Sequence, residues 1–183
     1  RSIQSFDSKF DAGLAQVNNL NQDFPNFTAQ ENAGKRLFLA PPPGAPGATI
    51  TGAGCQACHR APEFDIDPNT RNNGIVTIAG NTTAIDITNT RAPSLRNIVN
   101  ANGTVNGPFM HDGSKADLLA VINHYDLIPI TTGNTNLDPR LRPAGQPQNL
   151  QLTMMQKNAL IAFLSTLGGT DVYTDSKWSN PFK

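Results

Sequence analysis

The sequence predicts an all-α chain, a few short helices joined by long irregular loops. Three observations carry that prediction. Apolar residues recur at three- and four-residue steps in several segments, and two of these segments open with a capping-box signature. The 183 residues include 14 Pro and 15 Gly, which punctuate the chain between the periodic segments. Runs that alternate as strands do are almost absent.

The first helix is predicted over Ile3 to Leu14, where Ile3, Phe6, Phe10 and Leu14 share one face as a core-packing stripe. A polar loop follows from Asn18 to Asn26. Thr28 and Glu31 then form a capping box for a second helix, which runs to about Leu39 with Leu37 and Phe38 inward. Pro41-Pro42-Pro43 stops it, because proline lacks the amide for the next hydrogen bond.

A Pro/Gly-rich stretch leads from Pro41 to Gly54. No helix or strand is predicted between Arg60 and Asn89. Asp65, Asp67 and the run Asn69 to Asn73 read there as Asx turns, without the spacing of an EF-hand calcium loop. Ser114 to Asp117 opens a third helix that runs to about Tyr125, with Leu118, Val121, Ile122 and Tyr125 on one face. Pro129, Pro139, Pro143 and Pro147 break the next stretch. The last helix starts at Thr153, where Gln156 completes a second capping box. It buries Leu160, Phe163, Leu164 and Leu167 and ends at Gly168-Gly169, read as a left-handed C-cap. Trp178 and Phe182 in the tail are expected to cover a surface groove.

Length fits a single domain over 1–183. Lys plus Arg equals Asp plus Glu at 14 each, so the charge balance points to neither nucleic acid nor an anionic membrane face. No apolar run approaches the ~18 residues of a membrane span. The chain starts without Met and without a signal peptide, and is expected to be a mature or trimmed product.

The chemistry concentrates in Cys55-Gln56-Ala57-Cys58-His59. Two thiols at this spacing with an adjacent imidazole are the pattern of c-type haem attachment. The thiols add across the two vinyl groups on one porphyrin edge, and His59 supplies the proximal nitrogen to iron. Other readings are weaker. Zinc needs four ligands, and the 2 Cys and 3 His of the chain do not fall at finger or ribbon spacing. A thioredoxin-like pair belongs in a βαβ unit, whereas the flanks here are loop-like. A disulfide across the pair would be strained. The expected cofactor is one covalently bound haem c. The motif resembles that of c-type cytochromes, which mature outside the cytoplasmic membrane, and this resemblance implies a periplasmic or otherwise exported protein. Short helices with one CxxCH describe a class I cytochrome c-like fold, in which a first and a last helix cross near the haem edge and loops wrap the ring.

Further segments carry a closer resemblance. They are Gly34-Lys35-Arg36-Leu37-Phe38, Pro62 and Phe64, Arg91 to Asn97, His111-Asp112-Gly113, and Leu160 to Gly168. In this order the chain resembles the C-terminal haem domain of the bacterial di-haem cytochrome c peroxidase/MauG superfamily over nearly its whole length. The resemblance implies that 1–27 is an interdomain-type helix and loop, and that 28–183 is the haem core with a C-terminal extension. It also implies an electron-relay haem domain of a peroxidase-type oxidoreductase, the peroxide-reacting haem lying outside this chain. Its partners would be an N-terminal haem domain of the same protein or a second haem chain, and a small redox protein as donor. No residue of this chain is then itself catalytic. The alternative is a stand-alone mono-haem electron-transfer cytochrome with no catalytic activity of its own.

Three residues compete for the distal side of iron. Tyr125 comes first, at the position where the family's relay haem takes a ligand and where MauG carries tyrosine. His124 is second, because imidazole is the better intrinsic ligand, and Met110 third, because a thioether raises the potential. Neighbouring helix residues point about 100° apart, so Tyr125 and His124 cannot both face iron. His111 is expected to be a buried, hydrogen-bonded imidazole. The resemblance further suggests Arg91 and Arg96 near the haem propionates, and a calcium ion held partly by the carbonyls of Asn106 and Pro108.

Overall fold

Ser8, and not Ile3, starts the first helix. The computed structural model describes residues 4–66, 69–88 and 92–178, so Ile3 lies outside the described residues. Helix α1 spans Lys9–Val17. The Ser8 hydroxyl accepts from the Asp11 amide, while the Asp11 carboxylate accepts from the Ser8 amide. This reciprocal cap satisfies two otherwise free donors and leaves Phe6 outside the helix, half exposed.

Helix α2 (Ala29–Leu39) begins at the predicted box of Thr28 and Glu31. Helix α3 (Leu118–Asp126) is capped by the Asp117 carboxylate on the Ala120 amide. Helix α4 (Met154–Leu164) starts at the predicted box of Thr153 and Gln156. Its last turn tightens into a 3-10 turn over Ser165–Leu167, and Gly168 is extended (φ −80°, ψ 131°), which corrects the expected left-handed cap. The glycine pair is needed for room. A Cβ on Gly168 would strike the Val99 carbonyl, and one on Gly169 the Asp7 carboxylate. A short helix α5 (Asp171–Thr174) follows.

The all-α prediction is corrected. Strand β1 (His59–Arg60) pairs antiparallel with β2 (Asp65–Ile66), and β3 (Thr77–Ile78) pairs antiparallel with β4 (Asn81–Ile85), giving a mixed α/β chain. The β3–β4 hairpin uses β-branched Thr77, Ile78, Thr83 and Ile85, with Gly80 in the left-handed turn position (φ 77°). Ile78 and Ile85 are both exposed, so the hairpin lacks the alternation that burial of one face would impose. It is tied to the body through Thr77, whose carbonyl meets His111 Nε2 at 3.1 Å and whose hydroxyl donates to the Asp112 carboxylate.

The core is an aromatic cluster. Phe10, Phe24, Phe27, Phe38, Phe64 and Phe163 are all buried and meet edge-on or tilted, with Phe10–Phe64 at 4.8 Å and Phe38–Phe163 at 5.1 Å between centroids. Helices α2 and α4 cross so closely that a Cβ on Gly34 would land on the Ala159 carbonyl. Leu160, Phe163, Leu164 and Leu167 are buried as predicted. Helix α1, within the segment 1–27, contributes Phe10 to this same core.

Two buried cations brace the loops around it. Lys35 Nζ donates to the Leu20 and Gln22 carbonyls (2.5 and 2.6 Å) and lies over the Phe24 ring. Arg96 donates to both Asp11 oxygens and to the Ser5 and Pro62 carbonyls. In the tail Trp178 remains exposed at 46%, with Lys177 over its ring, and so does not cover a groove; Phe182 lies outside the described residues. Among the described residues no helix is long and apolar enough to cross a membrane.

Candidate haem site

The attachment motif is built onto the end of α2. Pro41-Pro42-Pro43 ends the helix, and the chain folds back so that Ala53 and Gly54 donate amides to the Leu37 and Ala40 carbonyls. The Gln56 side chain donates to the Leu39 carbonyl. The last carbonyls of α2, which have no helical partner, are thus satisfied by the residues that carry the motif. Gly54 takes a left-handed conformation (φ 69°), where a Cβ would press on Pro42.

Cys55–Ala57 forms a 3-10 turn, closed by the Cys58 amide on the Cys55 carbonyl. With three residues per turn, side chains at i and i+3 eclipse, so the backbone aims Cys55 and Cys58 the same way. No disulfide joins the two cysteines. His59 follows at the start of β1 and is held by its register with Ile66.

The environment of these groups suits a buried metal centre. Burial pushes the Cys55 thiol up to about 12, and the neighbouring Cys58 adds to the effect. Burial pushes the His59 imidazole down to about 4, against nearby carbonyls of Phe64 and Pro93 that favour its protonated form. The ring is therefore neutral at neutral pH, the form that coordinates a metal. Its Nδ1 is buried without a hydrogen-bond partner. Tyr125 is pushed up to about 12, first by burial and then by Cys58 and Cys55, while a hydrogen bond from Asn73 opposes the rise. Both cysteines lie near enough to Tyr125 to act electrostatically on its phenol. Cys55, Cys58, His59 and Tyr125 are each half-buried by exposed area. Two thiols at this spacing followed by a neutral imidazole form a donor set that fits a covalently held haem, and the Tyr125 phenol is near them.

Asn73 contacts all three candidate distal ligands. Its Nδ2 donates to Tyr125 Oη (3.1 Å) and to Met110 Sδ (3.4 Å), while its backbone carbonyl meets His124 Nε2 at 2.8 Å. Tyr125 and Met110 therefore share one amide nitrogen. His124 is buried with Nε2 tied to backbone, and burial lowers its pKa. Asn73 was read from sequence as an Asx-turn residue. It does make that turn, its Oδ1 accepting from the Ile75 amide, but no sequence signal marks the long-range contacts. The adjacent Asn72 is fully buried and anchors the loop to Asn134, Asn136 and Ile87.

The remaining predicted residues are placed differently. Arg91 lies outside the described residues. Arg96 has both terminal nitrogens engaged in the interior clamp with Asp11, away from an open ligand surface. Asn106 and Pro108 sit on an exposed segment, with the Asn106 side chain bound to the Asn97 carbonyl. Among the described residues no group of three or more His, Cys, Asp or Glu gathers as a metal site. His111 is exposed where burial was expected, though hydrogen-bonded to Thr77. One cation near the motif was missed: Arg140 Nη1 lies 3.7 Å from Cys58 Sγ. It borders a groove of about 710 Å³ along the outer side of the motif, shared with Arg60, Arg142, Pro41, Pro42 and Pro139.

No family model matches the chain, while curated proteins and solved structures include similar ones. A stretch of 79 residues is 33% identical to the methylamine utilization protein MauG of Methylophilus methylotrophus, covering 43% of this chain and 20% of that protein. Among solved structures, a MauG-like protein associated with microbial copper homeostasis matches with a TM-score of 0.62 at 28% identity, covering 98% of this chain and 57% of that one. The chain spans less than two thirds of the length of either relative.

Proposed function

From a chain that resembles the MauG/cytochrome c peroxidase superfamily, we propose a c-type haem domain that relays electrons within a peroxidase-like oxidoreductase. The observation that carries this reading is the Cys55–His59 motif on its 3-10 turn, with the neutral His59 imidazole and the Tyr125 phenol nearby. Cys55 and Cys58 would hold the haem through two thioethers, His59 would offer a neutral nitrogen to its metal, and Tyr125, on α3, would be the second protein ligand. When bound, the haem supplies one-electron chemistry. The chain's own part is to fix the ligands, exclude water from them and keep the redox centre close to its surface groove.

The reading carries further expectations. The protein is exported, as CxxCH maturation requires. The peroxide-reacting haem sits in another domain of the same protein or in a second chain, and a small redox protein supplies electrons. The two relatives extend well beyond the length matched here, which leaves room for such a domain in proteins of this kind. A second reading is favoured by one fact, the single CxxCH in 183 residues. It is a mono-haem electron carrier with no chemistry of its own.

Intact mass and pyridine haemochrome analysis of the native gene product test both. Covalent haem that is lost in Cys55→Ala/Cys58→Ala, together with a second haem elsewhere in the product, supports the relay reading. One haem and no peroxide turnover supports the carrier. No covalent haem defeats both.

A further inference from the structure

We propose that Asn73 is a positioning residue that selects Tyr125 over Met110 as the distal ligand of iron. The inference rests on the c-type haem reading above.

The argument starts from the amide's orientation. Asn73 Oδ1 accepts a hydrogen bond from the Ile75 amide at 3.1 Å. That bond fixes which end of the side chain is oxygen, so Nδ2 is the end turned away from the Ile75 amide. There it meets two potential iron ligands at once, Tyr125 Oη at 3.1 Å and Met110 Sδ at 3.4 Å. The loop is not free to swing away. Asn72 is fully buried, its Nδ2 donating to Asn134 Oδ1 and to the Ile87 carbonyl, and its Oδ1 accepting from the Gly74 amide. The Asn73 carbonyl is held by His124 Nε2, which keeps that imidazole engaged with the loop.

One N–H group then acts on both competitors in the same direction. Toward the phenol, a donor at Oη complements the negative charge of a metal-bound phenolate. Toward the thioether, a donor at Sδ engages one of its two lone pairs and holds the sulfur toward the loop, which weakens it as a competing ligand. Met110 is also held in a left-handed backbone conformation (φ 67°), which costs energy for a non-glycine residue and fixes the direction of its side chain. Removing the amide should free the sulfur and deprive the phenolate of its donor. A hydrogen bond to a charged group is strong enough to change the ratio of tyrosine- to methionine-ligated protein by about tenfold or more.

The test uses the haem-loaded full chain and reads the ferric absorption and EPR spectra together with the reduction potential. Asn73→Ala should convert a tyrosinate-type spectrum into a low-spin thioether-type spectrum and raise the potential. Asn73→Asp keeps an oxygen for the Ile75 amide but removes the donor, and should move the spectrum the same way. Asn73→Ala/Met110→Leu should lose the thioether signature again. Unchanged spectra in Asn73→Ala, or a lowered melting temperature with no spectral change, overturn the proposal. So does a change in Asn73→Ala that Asn73→Asp fails to share. Absence of covalent haem in the wild type instead defeats the reading beneath it, and the haemochrome assay reports that separately.

Discussion

Arg96 and Asp11 meet through two parallel hydrogen bonds, 2.7 Å and 2.8 Å, although 85 residues separate them. The Arg96 side chain is fully buried, and its other contacts are the Ser5 and Pro62 carbonyls and the rings of Phe6 and Phe64. The pair ties α1 to the segment after the attachment motif. Removing one partner of a buried, hydrogen-bonded ion pair leaves the other charge uncompensated.

Arg96→Met is therefore expected to destabilise the chain by about 3–5 kcal/mol, the range for breaking a buried pair. Asp11→Asn should cost as much or more, because the Arg96 charge it leaves uncompensated is fully buried whereas Asp11 is partly open to water. Urea denaturation of both variants checks the order. Equal stability of Arg96→Met and wild type would show that the clamp does not hold the fold.

Acid should loosen the same region. Burial opposes ionisation of Asp11, yet its hydrogen bonds from Arg96 and Ser8 hold the carboxyl below its ordinary value. Glu31, paired with Lys9, and Asp7, bound by Thr170, are lowered as well against the same opposing burial. A carboxylate with a depressed folded pKa stabilises the fold above the unfolded value, and that contribution is lost as pH falls through the folded one. Stability is expected to be level above the ordinary values of 3.8 for Asp and 4.5 for Glu and to fall below them. Thermal melts across pH 2 to 7 measure this, and Asp11→Asn should flatten the acid limb.

Gly34→Ala is expected to separate α2 from α4, because the added methyl lands on the Ala159 carbonyl and close to Phe163. Overpacking at such a contact costs roughly 1–3 kcal/mol, which outweighs the helix propensity gained from alanine. Gln30→Ala, exposed on the same helix, serves as the control and should leave the melting temperature near the wild-type value.

Lys35→Met should keep the apolar stem packed but leave the Leu20 and Gln22 carbonyls without their donor. These acceptors are only part-buried and can turn to water, so the loss should be that of an ordinary hydrogen bond, about 0.5–1.5 kcal/mol. Limited proteolysis should then cut within residues 19–26 faster than in the wild type, with the remaining fragment pattern unchanged.

The sequence was legible where the signal was local. Thr28 with Glu31 and Thr153 with Gln156 mark their helix starts because each cap is closed within three residues. The same rule applies at Ser8 and Asp11, but the apolar spacing of Ile3 and Phe6 drew the predicted start too early. The β3–β4 hairpin left no alternation, since Ile78 and Ile85 both stand in solvent. Gly168 and Gly169 looked like a helix stop, whereas the close approach of Val99 and Asp7 demands them. Asn73 was invisible for a different reason. Its contacts with Met110 and Tyr125 reach 37 and 52 residues along the chain, and no local pattern encodes them.

His59 and Phe64 lie on one hairpin, and the Phe64 ring, wholly buried, packs against Phe10, Phe38 and Phe163. The His59 backbone is thereby anchored to the aromatic core. Were His59 to hold an iron, such anchoring would let the metal change oxidation state with little movement of its ligand, as preorganised groups need no rearrangement at the moment of reaction. The reorganisation energy of electron transfer would then come mainly from the partner and the solvent, and the distance between redox centres would govern the rate.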